Sequence, residues 1–102
     1  MYTLGTEFKI NVHVDPIDNL HLRDYDFKCE FYTNINKMIV ITKAQMKQKS
    51  DDDYIAIITS ELANELGRGK VKMQFTAYLP DGDFDDGFRT EIVTICTDVT
   101  IV

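Results

Sequence analysis

Apolar and polar side chains alternate along most of this chain. Glu7–Val14 reads EFKINVHV and Lys70–Leu79 reads KVKMQFTAYL, so Phe8, Ile10, Val12 and Val14 share one side of the first segment. Val71, Met73, Phe75, Ala77 and Leu79 share one side of the second. A period of two lets a strand bury one sheet face and wet the other. The pattern predicts strands over Glu7–Val14, Asp26–Thr33, Lys37–Thr42, Tyr54–Thr59 and Lys70–Leu79, with one or two closing strands in Arg89–Val102. Lys37–Thr42 (KMIVIT) is apolar almost throughout, which suits a central strand covered on both faces or a short helix segment.

Turn residues separate these segments. Asp15-Pro16-Ile17-Asp18, Asn34–Asn36, Asp51–Asp53 and Pro80–Gly87 carry the Asp, Asn, Pro and Gly that turns favour. Ser60–Leu66 (SELANEL) reads as one helical turn, with Ser60 as N-cap, Glu61 in the first turn and Gly67 as stop. Lys43–Lys49 has good helix formers but no cap and little length, so it predicts a turn or a single helical coil. Six or seven short antiparallel strands, with turn signals about every ten residues, predict an all-β sandwich or small barrel. The 102 residues form a single domain spanning 1–102, a size that buries about 65% of the extended chain's surface.

Charge narrows the partners. A net charge of −6 opposes binding to phosphate backbones, which draw their affinity from Lys and Arg, so no nucleic acid is expected. No apolar run approaches the roughly 18 to 20 residues of a membrane-spanning helix, and MYTLGTEFK lacks the basic and apolar regions of a signal peptide. The expectation is a chain made in the cytosol, with no membrane partner.

Candidate chemistry is confined to the loops. Asp81, Asp83 and Asp85 alternate like the first half of a calcium loop, but Asp86 stands at the sixth position, where glycine is needed, and Ile92 at the twelfth, where glutamate is needed. An acidic hairpin that stays hydrated is the expectation, with no metal. His13 falls on the outward side of the first strand and His21 has no local partner at metal-ligand spacing, so both read as surface histidines. Cys29 and Cys96 are spaced like the inter-sheet disulfide of immunoglobulin domains, yet Trp is absent and Thr94 stands where the tyrosine corner belongs. Two reduced thiols in strands are expected. No nucleophile elbow or phosphate-binding glycine pattern occurs, and Gly67-Arg68-Gly69-Lys70 enters a strand rather than a helix, so neither an enzyme nor a cofactor is predicted.

Several segments together resemble a family. These are Asp26-Phe27-Lys28-Cys29-Glu30-Phe31, Asp53-Tyr54-Ile55-Ala56, Leu66-Gly67-Arg68-Gly69-Lys70-Val71, Asp81-Gly82, Gly87-Phe88-Arg89-Thr90-Glu91 and the terminal Val/Ile/Thr strand. The arrangement resembles the immunoglobulin-like domain that comes first in upper baseplate proteins of tailed phages. The cast of Tyr25–Tyr32 and Pro80–Glu91 is similar to short proteins of Bacteroidales phages and prophages. The resemblance implies an immunoglobulin-like sandwich and a virion protein of the tail, baseplate or head-fibre connector, assembled in the bacterial host cytoplasm. It further implies action by protein–protein interaction with other virion proteins or with copies of itself.

Val99-Thr100-Ile101-Val102 is apolar and poorly protected, and is either a docking strand or the last strand of the sandwich. Val99, Ile101 and Val102, with Asp83, Phe84 and Asp85 of the acidic loop, are the expected partner-binding residues. The alternative function is a carbohydrate-binding or calcium-dependent adhesion module, since sandwiches host both.

Overall fold

The alternating segments become the strands of two antiparallel sheets in the computed structural model, which describes residues 1–33 and 38–102. In chain order the strands are β1 (Phe8–His13), β2 (Asp26–Tyr32), β3 (Ile39–Thr42), β4 (Lys47–Gln48), β5 (Asp53–Ile58), β6 (Gly69–Pro80) and β7 (Phe88–Ile101). One α-helix, α1 (Ser60–Leu66), links β5 to β6, and 3-10 turns occupy Leu22–Asp24 and Lys43–Gln45. The predicted all-β sandwich is therefore the observed one.

One sheet runs β1-β5-β4 and the other β3-β2-β6-β7. Immunoglobulin sandwiches place B, E and D in one sheet and C, F and G in the other, with C′ added beyond C in variable-type domains. The strand order here matches B-E-D and C′-C-F-G. The usual position of strand A, along the outer edge of β1, has no ladder strand among the described residues. Instead Tyr2 bridges Ile101 in parallel at the far end of β7.

Alternation explains the core. In β1, Phe8, Ile10 and Val12 point inward, and in β2 Phe27, Cys29 and Phe31 do so. Their facing partners on β5 are Tyr54, Ala56 and Ile58, and on β6 Val71, Met73, Phe75, Ala77 and Leu79. Phe27 is central: its ring meets Tyr54 of the opposite sheet edge-on at 5.2 Å and lies 5.5 Å from Phe75. Lys43 fastens the nearby 3-10 turn by donating to the carbonyls of Arg23 and Tyr25 at 2.7 and 2.8 Å.

Several local expectations are corrected. The apolar run over residues 37–42 is not a central strand: β3 is the edge of its sheet, with Ile39 and Ile41 buried and Val40 turned to solvent. Lys37 and the predicted turn Asn34–Asn36 lie outside the described residues. The N-cap of α1 is Thr59 rather than Ser60. Thr59 Oγ1 accepts from the Leu62 amide at 3.3 Å, while the Ser60 hydroxyl donates to the Gly5 carbonyl and ties the helix to the N-terminal segment. Gly67 does end the helix, at φ +77°, a backbone region that disfavours any side chain. The closing segment is a single strand of 14 residues.

Candidate functional site

A sandwich has sheet edges, and an unpaired edge is a row of free backbone donors and acceptors that a protein either blunts or uses. Three of the four edges here are blunted. β4 has two residues and β3 four, too short to template a partner. β1 has six, carries Lys9 on its outer side, and is soon followed by Asp15-Pro16. β7 is different: it has 14 residues, no Lys and no Pro, and the stretch Ile92–Thr97 (IVTICT) holds no charge.

β7 is also apolar on both faces where it is free. Val93 and Ile95 pair with Phe75 and Met73 and share their inward side, but no strand of the three-stranded sheet covers them, leaving them 48% and 44% exposed. On the outward side Ile92 is 58% exposed. Between β7 and β1 runs a groove of about 260 Å³, lined by Val12, Val14, Met73, Phe75, Val93 and Ile95. His13, Asp15 and Glu91 form its polar rim.

One end of this free edge is closed. Beyond Cys96 the register slips against β6 between Lys70 and Lys72, forming a bulge. Thr97 Oγ1 holds the bulge by donating to the Val71 carbonyl at 2.7 Å and accepting from the Val99 amide at 3.2 Å. Past the bulge the N-terminal segment takes the edge: the Tyr2 amide donates to Thr100 O, Val102 N to Tyr2 O and Leu4 N to Val102 O, at 2.8 to 2.9 Å. At the other end the edge runs free to the β6–β7 hairpin, whose turn closes on the β6 side through Asp81 N to Gly87 O, 2.8 Å.

These facts place the six sequence-predicted binding residues. Ile101 is 2% exposed and paired on both sides, to Gly69 and to Tyr2, so it belongs to the core. Val99 is half-buried against the core and Val102 is exposed. Asp83, Phe84 and Asp85 are exposed at the hairpin tip. The two groups sit at opposite ends of β7, which at about 3.3 Å per residue is over 40 Å long, so they do not form one site. The sequence signal between them is the uncharged run IVTICT, and alternation alone does not tell an edge strand from an inner one.

The hairpin is held by its own side chains. Asp81 accepts from the Asp83 amide at 3.1 Å and from Arg89 Nη1 at 3.3 Å, and Arg89 Nη2 reaches Asp18 at 3.0 Å. Asp81 is thus used within the protein rather than offered to a cation. Among the described residues no group of three His, Cys, Asp or Glu side chains is placed to hold a metal ion.

A polar cluster at the start of β5 draws in both histidines. His13 Nδ1 lies 2.8 Å from Asp53 Oδ1 and Nε2 3.0 Å from Asp15, while His21 Nδ1 lies 3.0 Å from Asp52. Hydrogen bonding to Asp53 and then Asp15 raises the His13 pKa above 6.5, and bonds from Ser50 and His13 lower that of Asp53. Ser50 Oγ donates to Asp53 at 2.6 Å, so the order is Ser–Asp–His. A nucleophile needs the histidine next to its hydroxyl as base, and that order is missing here. The cluster pins the Asp51–Asp53 loop to β1 and to the Leu22–Asp24 turn.

Both cysteines are free. Cys29 faces the core of β2, where burial pushes its pKa up to about 12, whereas Cys96 is exposed on β7. β6 lies between those two strands, so no bridge can join them. Comparison with protein-family models, curated proteins and solved structures gives no match to the chain.

Proposed function

We propose that the chain is a structural or assembly module of a phage virion, in a tail, baseplate or head-fibre connector, acting by protein–protein contact. The observation that carries the protein-binding part is the free edge of β7. A long strand with half-exposed Val93 and Ile95 on one face and Ile92 on the other exposes apolar surface that monomers avoid. β-Strand addition uses such an edge directly, with main-chain hydrogen bonds for affinity and apolar pockets for register. The virion part is supported by the sequence resemblance to baseplate immunoglobulin-like domains. On this reading the protein assembles in the host cytoplasm and is retained in the particle.

The test is composition of particles purified from a culture induced to release the encoding phage. Wild-type chain at fixed stoichiometry, and its loss when Ile95→Lys is introduced, is the expected result. A chain absent from particles that binds capsular polysaccharide, or binds it only with calcium, overturns the proposal in favour of an adhesion module.

A further inference from the structure

We propose that β7 pairs antiparallel with β7 of a second copy of this chain, about a twofold axis at Thr94. The proposal rests on the chain being a protein-binding module; it does not depend on the virion.

Symmetry restricts the pairing. Two adjacent antiparallel strands related by a twofold axis must have that axis perpendicular to the sheet, so each face continues across the junction. Residues directly opposite then share a face, and their numbers add to an even sum. The free edge also has limits, since the Tyr2–Leu4 segment already occupies the edge at Thr100–Val102 and the bulge at Thr97–Val99 ends regular pairing. What remains for regular pairing is the stretch Phe88–Cys96.

Chemistry then selects among the neighbouring registers. With the axis at Thr94, Val93 stands opposite Ile95 on the inward face and Ile92 opposite Cys96 on the outward face, with Thr94 opposite itself. Arg89, Thr90 and Glu91 then fall opposite the bulge at Thr97–Val99, outside the regular ladder. Moving the axis to Val93 sets Glu91 against Ile95, moving it to Ile92 sets Glu91 against Val93 and Arg89 against Ile95, and moving it to Ile95 sets Ile92 and Val93 against the bulge. Cross-strand apolar and Thr–Thr pairs stabilise a sheet, whereas a carboxylate against an apolar side chain wastes both. The Thr94 register gives the exposed Ile92, Val93 and Ile95 apolar partners together, and no like charges meet in its regular ladder.

The second copy supplies what the outer edge of β7 lacks among the described residues: a ladder partner for its backbone and apolar neighbours for Ile92, Val93 and Ile95. Edge pairing alone buries less than the about 800 Å² per partner of a standard interface, so a weak, concentration-dependent dimer is expected.

The test uses the full chain in a Cys96→Ser background, where the remaining Cys29 is buried. Thr94→Cys places two thiols directly opposite, at about 4.5–5.5 Å between Cβ atoms, and mild oxidation yields a disulfide-linked dimer. Thr90→Cys serves as control, because the axis sets its two copies eight residues apart, about 27 Å, and no bridge forms. Sedimentation of the uncrosslinked protein from micromolar to millimolar concentration shows a monomer–dimer equilibrium that Ile95→Lys abolishes, with circular dichroism confirming that each variant is folded. A strict monomer through that range, or Thr94→Cys crosslinking no faster than Thr90→Cys, overturns the proposal. A monomer that still captures a neighbouring virion protein through β7 also overturns it, while leaving the protein-binding function in place.

Discussion

Truncating Phe27 is the sharpest test of how the two sheets are held together. Its side chain is 1% exposed, and its ring touches Tyr54 across the sandwich, Phe75 within its own sheet and Tyr25, 6.4 Å away. Burying an aromatic side chain of about 150–250 Å² at about 25 cal/mol per Å² gives roughly 4–6 kcal/mol, an upper figure because real unfolded chains already hide some surface. Alanine retains part of that burial but leaves a cavity between the sheets, which brings the expected loss for Phe27→Ala to about 4 kcal/mol. A domain of this size has roughly 5–15 kcal/mol in total, so the variant stays folded with a melting temperature lower by about 15–30 °C. Urea denaturation followed by far-UV circular dichroism measures the loss. Phe27→Leu, which fills most of the space, costs about 1–1.5 kcal/mol, and Ile92→Ala on the exposed face of β7 stays within about 0.5 kcal/mol. A loss below about 1.5 kcal/mol for Phe27→Ala, or equal losses at Phe27 and Ile92, refutes the assignment of Phe27 as the link between sheets.

Three further outcomes follow from the side chains. In native protein a thiol reagent modifies Cys96 alone, and Cys29 reacts only after unfolding; two fast thiols in the folded state contradict the burial of Cys29. The pH dependence turns on the His13–Asp53 pair. The raised His13 pKa contributes stability that is fully present below 6.5 and lost as pH rises through the folded value, and the lowered Asp53 pKa contributes stability present above 3.8 and lost as pH falls. The gap in melting temperature between wild type and Asp53→Asn is therefore widest between those two values and narrows on either side; a gap independent of pH refutes the pairing. Millimolar calcium leaves the melting temperature unchanged because Asp81 is held by Arg89 and the Asp83 amide, and a rise that Asp83→Ala removes contradicts this.

What the sequence revealed was what depends on local pattern. β1, β2 and β6 follow from alternation because one face of each is buried, and Gly67 marks the helix end because the backbone there has positive φ. The errors share one cause, which is that pairing partners are not written locally. The run over residues 37–42 looked central because it is apolar, yet Val40 faces solvent at an edge. Val99–Val102 looked unprotected because its protector, Tyr2–Leu4, lies at the other end of the chain. Ser60 is as good a cap by composition as Thr59, and only the position of Gly5 shows why it is engaged elsewhere. The free edge of β7 was visible as an uncharged β-branched run, but its exposure depends on the three-stranded sheet stopping at β1.

The parallel pairing of Tyr2–Leu4 with Thr100–Val102 also has a mechanical meaning. Because the two segments run the same way, a pull on residue 2 against residue 102 acts along the strands and not across them. The three backbone bonds that join them stretch together instead of opening one after another. Tension between the two ends of the chain therefore meets a shear clamp before it reaches the core. The β6–β7 hairpin, at the far end of β7, is outside the loaded path.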